Sequence, residues 1–186
     1  MPVSWESTQV GGKTMRIYVG VPARPGPHPG IVIAQHGSGV DAQIQDAVHR
    51  LHREGYVVAA PELFHRQPAQ VEASRFSLLR DNEIIADINA TVAPLGITGF
   101  CMGGRVAYLM ACVNPEFKAA AVFYGGGIFR VQGDGPSPFE RSAGIQCPMI
   151  GFFGAEDTNP APADVKKIDA ELRRLKKWHE FHTYNN

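Results

Sequence analysis

The segment Gly99-Phe-Cys-Met-Gly-Gly104 joins a short apolar run, Gly96-Ile-Thr-Gly-Phe100, to a stretch with helical spacing from about 103 to 113. It has the form glycine, any residue, nucleophile, any residue, glycine, with Cys101 in the nucleophile position. A strand-to-helix turn that sharp strains the nucleophile's backbone and brings the positions two before and two after it against neighbouring main chain, where a Cβ would clash. Gly99 and Gly103 meet both demands. The chemistry predicted is attack of a sulfur on an acyl carbon: the amino end of a helix favours a thiolate, and the backbone N–H of Met102 points at an oxyanion forming beside it. Cys112, inside the following helix, and Cys147, ahead of a strand, read instead as structural thiols.

A sulfur nucleophile calls for a second oxyanion donor, an acid and a base. His36-Gly-Ser-Gly39 follows an earlier apolar run and offers the Gly37 N–H as that donor. His36 either touches the thiol or organises its own loop, and the second role is favoured. Asp157, in Gly154-Ala-Glu-Asp-Thr-Asn-Pro160 after another apolar run, fits the acid, with Glu156 as the neighbouring alternative. The base is less apparent: His179 and His182 alone follow Asp157, and both fall before or within the last strand, not on a loop after it. His28, His49, His52 and His65 lack metal-ligand spacing, so no metal is expected. Arg75, Arg80, Arg105 and Arg130 are candidates to hold a substrate carboxylate. Phe64 and Tyr124 are candidates to line a pocket.

The elements that must position these groups follow from the hydropathy pattern. Thr8 to Val21, turning at Gly11-Gly12, reads as an antiparallel pair, and Pro22 to Pro29 as a connector. Gly30 to Gln35 is a strand, and about 41 to 54 a helix with Ile44, Ala47, Val48 and Leu51 on one face. Tyr56 to Ala60 is a strand closed by Pro61, and about 79 to 92 a helix carrying Ile84, Ile85, Ile88 and Val92. Lys118 to Tyr124 is a strand leaving through Gly125-Gly-Gly127, and a loop runs to about 145. Pro148 to Phe153 is a strand, Pro162 to about Lys177 a helix, and Glu180 to Tyr184 a last strand. Continuously apolar strands alternating with helices predict an α/β fold: a mostly parallel, doubly wound sheet with an antiparallel N-terminal strand pair and helices on both faces. Chemistry in such sheets collects at the carboxyl ends of the strands.

The 186 residues fit one domain. With 18 Lys+Arg against 18 Asp+Glu, the chain has no long-range field to gather nucleic acid or a membrane surface, which leaves a small molecule as the expected partner. No apolar run approaches the roughly 20 residues of a bilayer span, and Met1-Pro-Val-Ser-Trp-Glu lacks the basic head and apolar core of a leader. Three widely spaced cysteines argue against a disulfide framework, so a cytoplasmic protein, monomer or homodimer, is expected.

Ile31-Val-Ile-Ala-Gln-His36, Arg53-Glu-Gly-Tyr-Val-Val-Ala-Ala-Pro-Glu-Leu63, Gly99 to Gly104, Tyr124-Gly-Gly126 and Gly154-Ala-Glu-Asp157 together resemble the landmarks of the dienelactone hydrolase family of α/β-hydrolases. The resemblance implies Cys101 as nucleophile, Asp157 as triad acid, Gly37 and Met102 as the oxyanion hole, and hydrolysis of a small lactone or ester through a thioester without a cofactor. Its best-known members have Glu where this chain has His36. They also continue from a segment like Phe181-His-Thr-Tyr-Asn-Asn186 into a turn bearing the triad histidine and then a last helix. The expectation is that both lie beyond residue 186, and that without the helix one face of the sheet stays apolar in water. A ligand-binding domain that lost the triad, or a redox-responsive thiol at Cys101, are the alternative readings.

Overall fold

A computed structural model describes residues 3–68, 74–91 and 95–185. Met1, Pro2, Asn186 and Val92, the last expected apolar position of the second helix, lie outside the described residues. The strands are β1 (Val3–Val10), β2 (Lys13–Gly20), β3 (Gly30–Ala34), β4 (Val57–Pro61), β5 (Gly96–Phe100), β6 (Ala119–Phe123), β7 (Met149–Gly154) and β8 (His179–Tyr184). They form one sheet in the order β1-β2-β4-β3-β5-β6-β7-β8. β2 runs antiparallel to both β1 and β4, and every other pairing is parallel. The opening hairpin begins earlier than the sequence pattern indicates, at Val3 opposite Gly20, where the cross-strand pair Trp5 and Tyr18 packs with tilted rings 5.0 Å apart and extends the pairing beyond the alternating stretch.

Four helices connect the parallel strands: α1 (Ala42–Arg53), α2 (Asp81–Asn89), α3 (Met102–Val113) and α4 (Pro162–Arg174). α1 forms where Asp41 precedes a run with Ile44 and Val48 on one face. The Asp41 carboxylate accepts the N–H groups of Gln43 and Ile44 at 3.1 and 3.3 Å, while Arg50 and Arg53 complement the dipole at the far end. α4 opens with Pro162, whose missing N–H has no intrahelical partner to lose.

Alternation along the strands divides the core in two. Val32 and Ala34 of β3 face a cluster built on α2, α3 and α4, with Ile84, Val106 and Ile168 at its centre. Ile31 and Ile33 face α1 together with Val58, Ala60 and Tyr18. The sheet's other half is less evenly covered. On the α1 side, register aligns Phe100, Phe123, Phe152 and His182 across β5 to β8, with successive ring centroids 4.8, 4.6 and 5.5 Å apart. This row is half-buried, whereas Ile97, Val122 and Phe153 on the opposite face are buried. A groove of about 460 Å³ runs beside it, lined by Leu51, Thr98, Phe100, Ala121 and Phe123. Strands β5 to β7 are therefore not closed on both faces, as their apolar composition predicts, because no described element lies over the α1 side beyond α1 itself.

One charge stands in an otherwise apolar helix. Arg105 in α3 is fully buried and meets Asp81, the first residue of α2, through two hydrogen bonds of 2.6 and 3.0 Å. The guanidinium also donates to the carbonyls of Gly127 and Arg130 at 3.0 and 2.8 Å, and the Asp81 N–H donates to the Gln132 carbonyl at 2.9 Å. The pair thus ties α2, α3 and the 127–132 loop together, which offsets the desolvation of both charges. Asp81→Ala, leaving the guanidinium buried without its counter-charge, is expected to destabilise the protein by about 3–5 kcal/mol, measured by urea denaturation. A loss below 1 kcal/mol contradicts this account of the clamp.

Candidate active site

The exits of β3, β5 and β6 meet at the elbow. Cys101 has φ +54° and ψ −116°, a conformation that costs a non-glycine residue about 1–3 kcal/mol. Neighbouring backbone holds it there: the Cys101 N–H donates to the Phe123 carbonyl at 3.0 Å, and its carbonyl accepts the N–H of Gly104 at 3.0 Å. A Cβ on Gly99 would sit 2.2 Å from the Gly103 carbonyl oxygen, and one on Gly103 2.2 Å from that of Ala34. A Cβ on Gly104 would meet the Phe123 carbonyl oxygen at 2.6 Å. The first two glycines were expected on steric grounds. Gly104 makes a third close approach, which seats α3 against β6.

The Cys101 side chain is exposed and stands at the amino end of α3. Cys112 and Cys147 are buried, and burial pushes both thiols above their ordinary range. Only one of the three sulfurs is thus both accessible and set in a helix-end field. The Met102 N–H belongs to the first turn of α3, where helix geometry supplies no partner. Gly37 is exposed on the β3 exit loop, which reaches the elbow through the approach of Gly103 to Ala34 and Gln35.

The His36 ring is held within its own loop. Nδ1 accepts the Ser38 N–H at 3.2 Å. Nε2 lies 3.1 Å from Asp41 Oδ1, in ion-pair range but without hydrogen-bond alignment. Its carbonyl also accepts the Gly39 N–H at 2.9 Å. The ring thereby links the β3 exit to the cap of α1.

Asp157 is partly buried on the loop leaving β7 and accepts the Asn159 N–H on Oδ1 at 3.0 Å. The Ala155 N–H in the same loop donates to the Tyr184 carbonyl at 2.8 Å, so the end of β8 lies beside it. Glu156, the alternative acid, is exposed. Tyr124, at φ +38°, donates its N–H to the Phe152 carbonyl at 2.7 Å and borders a cavity of about 370 Å³ with Phe152, Gly154 and Tyr184. Phe64 is closed into the main core, with the Arg75 guanidinium 5.4 Å above its ring.

The remaining candidates are engaged elsewhere. Arg105 is the buried clamp, and Arg80 pairs with Asp134 at 2.6 Å. Arg130 borders a separate cavity of about 270 Å³ with Asn159 and Asp164. His179 Nε2 lies 3.0 Å from Asp169, and His182 Nε2 lies 2.9 Å from Glu180. His65 is buried against Asp87 at 3.1 Å. No group of three His, Cys, Asp or Glu side chains among the described residues is arranged to hold a metal, and no described helix is long and apolar enough to cross a membrane. The sequence pattern alone does not join Asp81, Arg105 and Asn159 into one assembly. A lone arginine inside an apolar helix was the available signal for the Asp81–Arg105 pair, since a buried charge requires a partner. Asn159 carried only the weaker signal of an asparagine ahead of a proline in a turn.

A cysteine elbow at the strand exits of a mostly parallel sheet, with an acid on the loop after β7, defines an α/β-hydrolase fold. A model of the "Dienelactone hydrolase family" matches residues 15–186. A Synechocystis protein named "Putative carboxymethylenebutenolidase" is 33% identical over 90% of this chain and 77% of its own length. A protein of the same name from Methylorubrum extorquens is 32% identical over 90% of this chain, which spans only 64% of it. Among solved structures, a Klebsiella pneumoniae protein described as "Putative Dienelactone Hydrolase" superposes with a TM-score of 0.84 at 28% identity, covering 99% of this chain and 86% of the other. The chain belongs to the dienelactone hydrolase family.

Gly103→Ala tests the elbow. The added methyl cannot be relieved by turning a side chain, because it meets backbone, so a loss of about 2–4 kcal/mol is expected in urea denaturation. A stable variant would show that the β3–α3 approach is not the constraint.

Proposed function

We propose that the protein is a cysteine hydrolase of small carboxylic esters or lactones, working through a thioester on Cys101. The observation that carries this reading is the accessible sulfur at positive φ on the amino end of α3, beside backbone N–H groups with no intrahelical partner. In this mechanism Cys101 Sγ, as thiolate, adds to the carbonyl carbon and the carbonyl π electrons move to oxygen. The N–H groups of Met102 and Gly37 stabilise that oxyanion. Collapse restores the carbonyl and breaks the C–O bond, and the departing alkoxide takes a proton from an imidazolium. For a lactone the freed alcohol stays attached to the acyl group. Water, giving its proton to the same imidazole, then adds to the thioester carbon. Expulsion of the thiolate releases the carboxylic acid and restores Cys101.

Asp157 is the group that orients the imidazole. Six of the seven histidines pair with groups other than Asp157, and His52 packs its ring against His49, so none of them is assigned as the imidazole that Asp157 orients. His36 serves as the loop's organiser and not as the base. Three unpaired cysteines suit a reducing compartment. We therefore place the activity in the cytoplasm, on a small-molecule substrate, with a monomer or homodimer as the working form.

Acylation is observable without turnover. Incubation with 4-nitrophenyl acetate is expected to leave one acetyl group on Cys101, detected by peptide mass spectrometry, and none on Cys112 or Cys147. Cys101→Ala is expected to lose both the adduct and ester hydrolysis while keeping its fold. Label confined to the other cysteines, or turnover retained in Cys101→Ala, refutes the assignment. Reversible oxidation of Cys101 with no acylation would favour the redox reading instead.

A further inference from the structure

A continuous set of hydrogen bonds runs from the nucleophile's helix to the acid's carboxylate. Arg105, four residues after Cys101 in α3, donates from Nε to the Gly127 carbonyl at 3.0 Å. The N–H of the same Gly127 donates to Asn159 Oδ1 at 3.2 Å. The N–H of Asn159 donates in turn to Asp157 Oδ1 at 3.0 Å. Asn159 is thus the one residue in this path that touches both loops, its side chain on the β6 exit and its main chain on the acid. The fit beneath it is close, since a Cβ on Gly126 would lie 2.6 Å from Asn159 Nδ2 and 2.8 Å from its carbonyl oxygen.

Each link removes a different freedom. The Arg105–Asp81 pair, fully buried at the arginine, fixes the Gly127 carbonyl relative to α3, and so relative to Cys101. The Asn159 side chain then fixes the β7 exit loop to Gly127. The Asp157 carboxylate, which accepts the Asn159 N–H within a partly exposed loop, takes its position from that anchor. An acid that must orient an imidazole needs its position set to within a fraction of an ångström, and a displacement of about 1 Å can cost on the order of a hundredfold in rate.

We propose that Asn159 is a positioning residue, which registers Asp157 to the nucleophile's helix through Gly127 and the buried Arg105–Asp81 pair. The proposal rests on the reading of Asp157 as the triad acid. It is tested in the full chain by steady-state hydrolysis of a 4-nitrophenyl ester for Asn159→Ala, Asn159→Asp and Asp157→Ala. Alkylation of Cys101 by iodoacetamide, which needs no acid, serves as the control. Asn159→Ala is expected to lower kcat about tenfold with KM changed less than about twofold. Asn159→Asp, which keeps an oxygen for the Gly127 N–H, is expected to recover kcat to within about threefold of the parent. Alkylation of Cys101 stays at the parent rate, and deuterium exchange quickens in 125–127 and 154–160 but not in α3. Parental kcat in Asn159→Ala alongside a large loss in Asp157→Ala overturns the proposal and leaves the acid assignment standing. Equal impairment of Asn159→Ala and Asn159→Asp also overturns it. Parental kcat in Asp157→Ala removes the acid assignment, and the proposal with it.

Discussion

Backbone meets backbone at the elbow, and the rest of the site depends on that approach. Gly99, Gly103 and Gly104 lie where a single methyl would overlap a carbonyl group, and Gly125 faces Gly104 from the other side with its own missing Cβ 2.7 Å from the Gly104 carbonyl carbon. This closeness lets β3 and β6 both reach the start of α3. The Phe123 carbonyl can then bind the Cys101 N–H and hold the residue at positive φ. Backbone strain at Cys101 is sustained because hydrogen bonds and close packing determine its surroundings more strongly than its own preference does. The result is a sulfur that points out of the fold at the end of a helix pointing in.

Charge and burial divide the labour among residues that look alike in sequence. Of three cysteines, burial keeps two protonated in the core and leaves one accessible. Of several arginines, one is withdrawn from solvent and spends its donors on Asp81 and two loop carbonyls, while another stacks over a core phenylalanine. The buried pair carries more than stability. It fixes the Gly127 and Arg130 carbonyls in the long excursion between β6 and β7, and the Gly127 N–H donates to Asn159 on the loop after β7. His36 acts similarly at the other exit, using its ring to join Ser38 to the cap of α1.

The two faces of the sheet differ in kind. Beneath α2, α3 and α4 the strands are sealed. On the α1 side the aligned rings of Phe100, Phe123, Phe152 and His182 lie half open beside an apolar groove. Cross-strand stacking gives these rings partners within the sheet, but it leaves their outer edges without close-packed neighbours.

By itself the sequence determined the elements and the elbow. Apolar runs mark buried strands wherever they occur, and a glycine, cysteine and glycine at this spacing are forced by local sterics that need no distant partner. The place of Asp157 was legible for the same reason, as a carboxylate on the loop leaving an apolar strand. The structure alone decided which residues share a contact. The meeting of Arg105 with Asp81 and of Asn159 with Gly127 each depends on strand order and loop paths. A neutral, solvated side chain looks the same in sequence whether it anchors a loop or faces water. Half-burial of the aromatic row was likewise settled in three dimensions, because an apolar strand specifies that its faces should be covered and says nothing about what covers them.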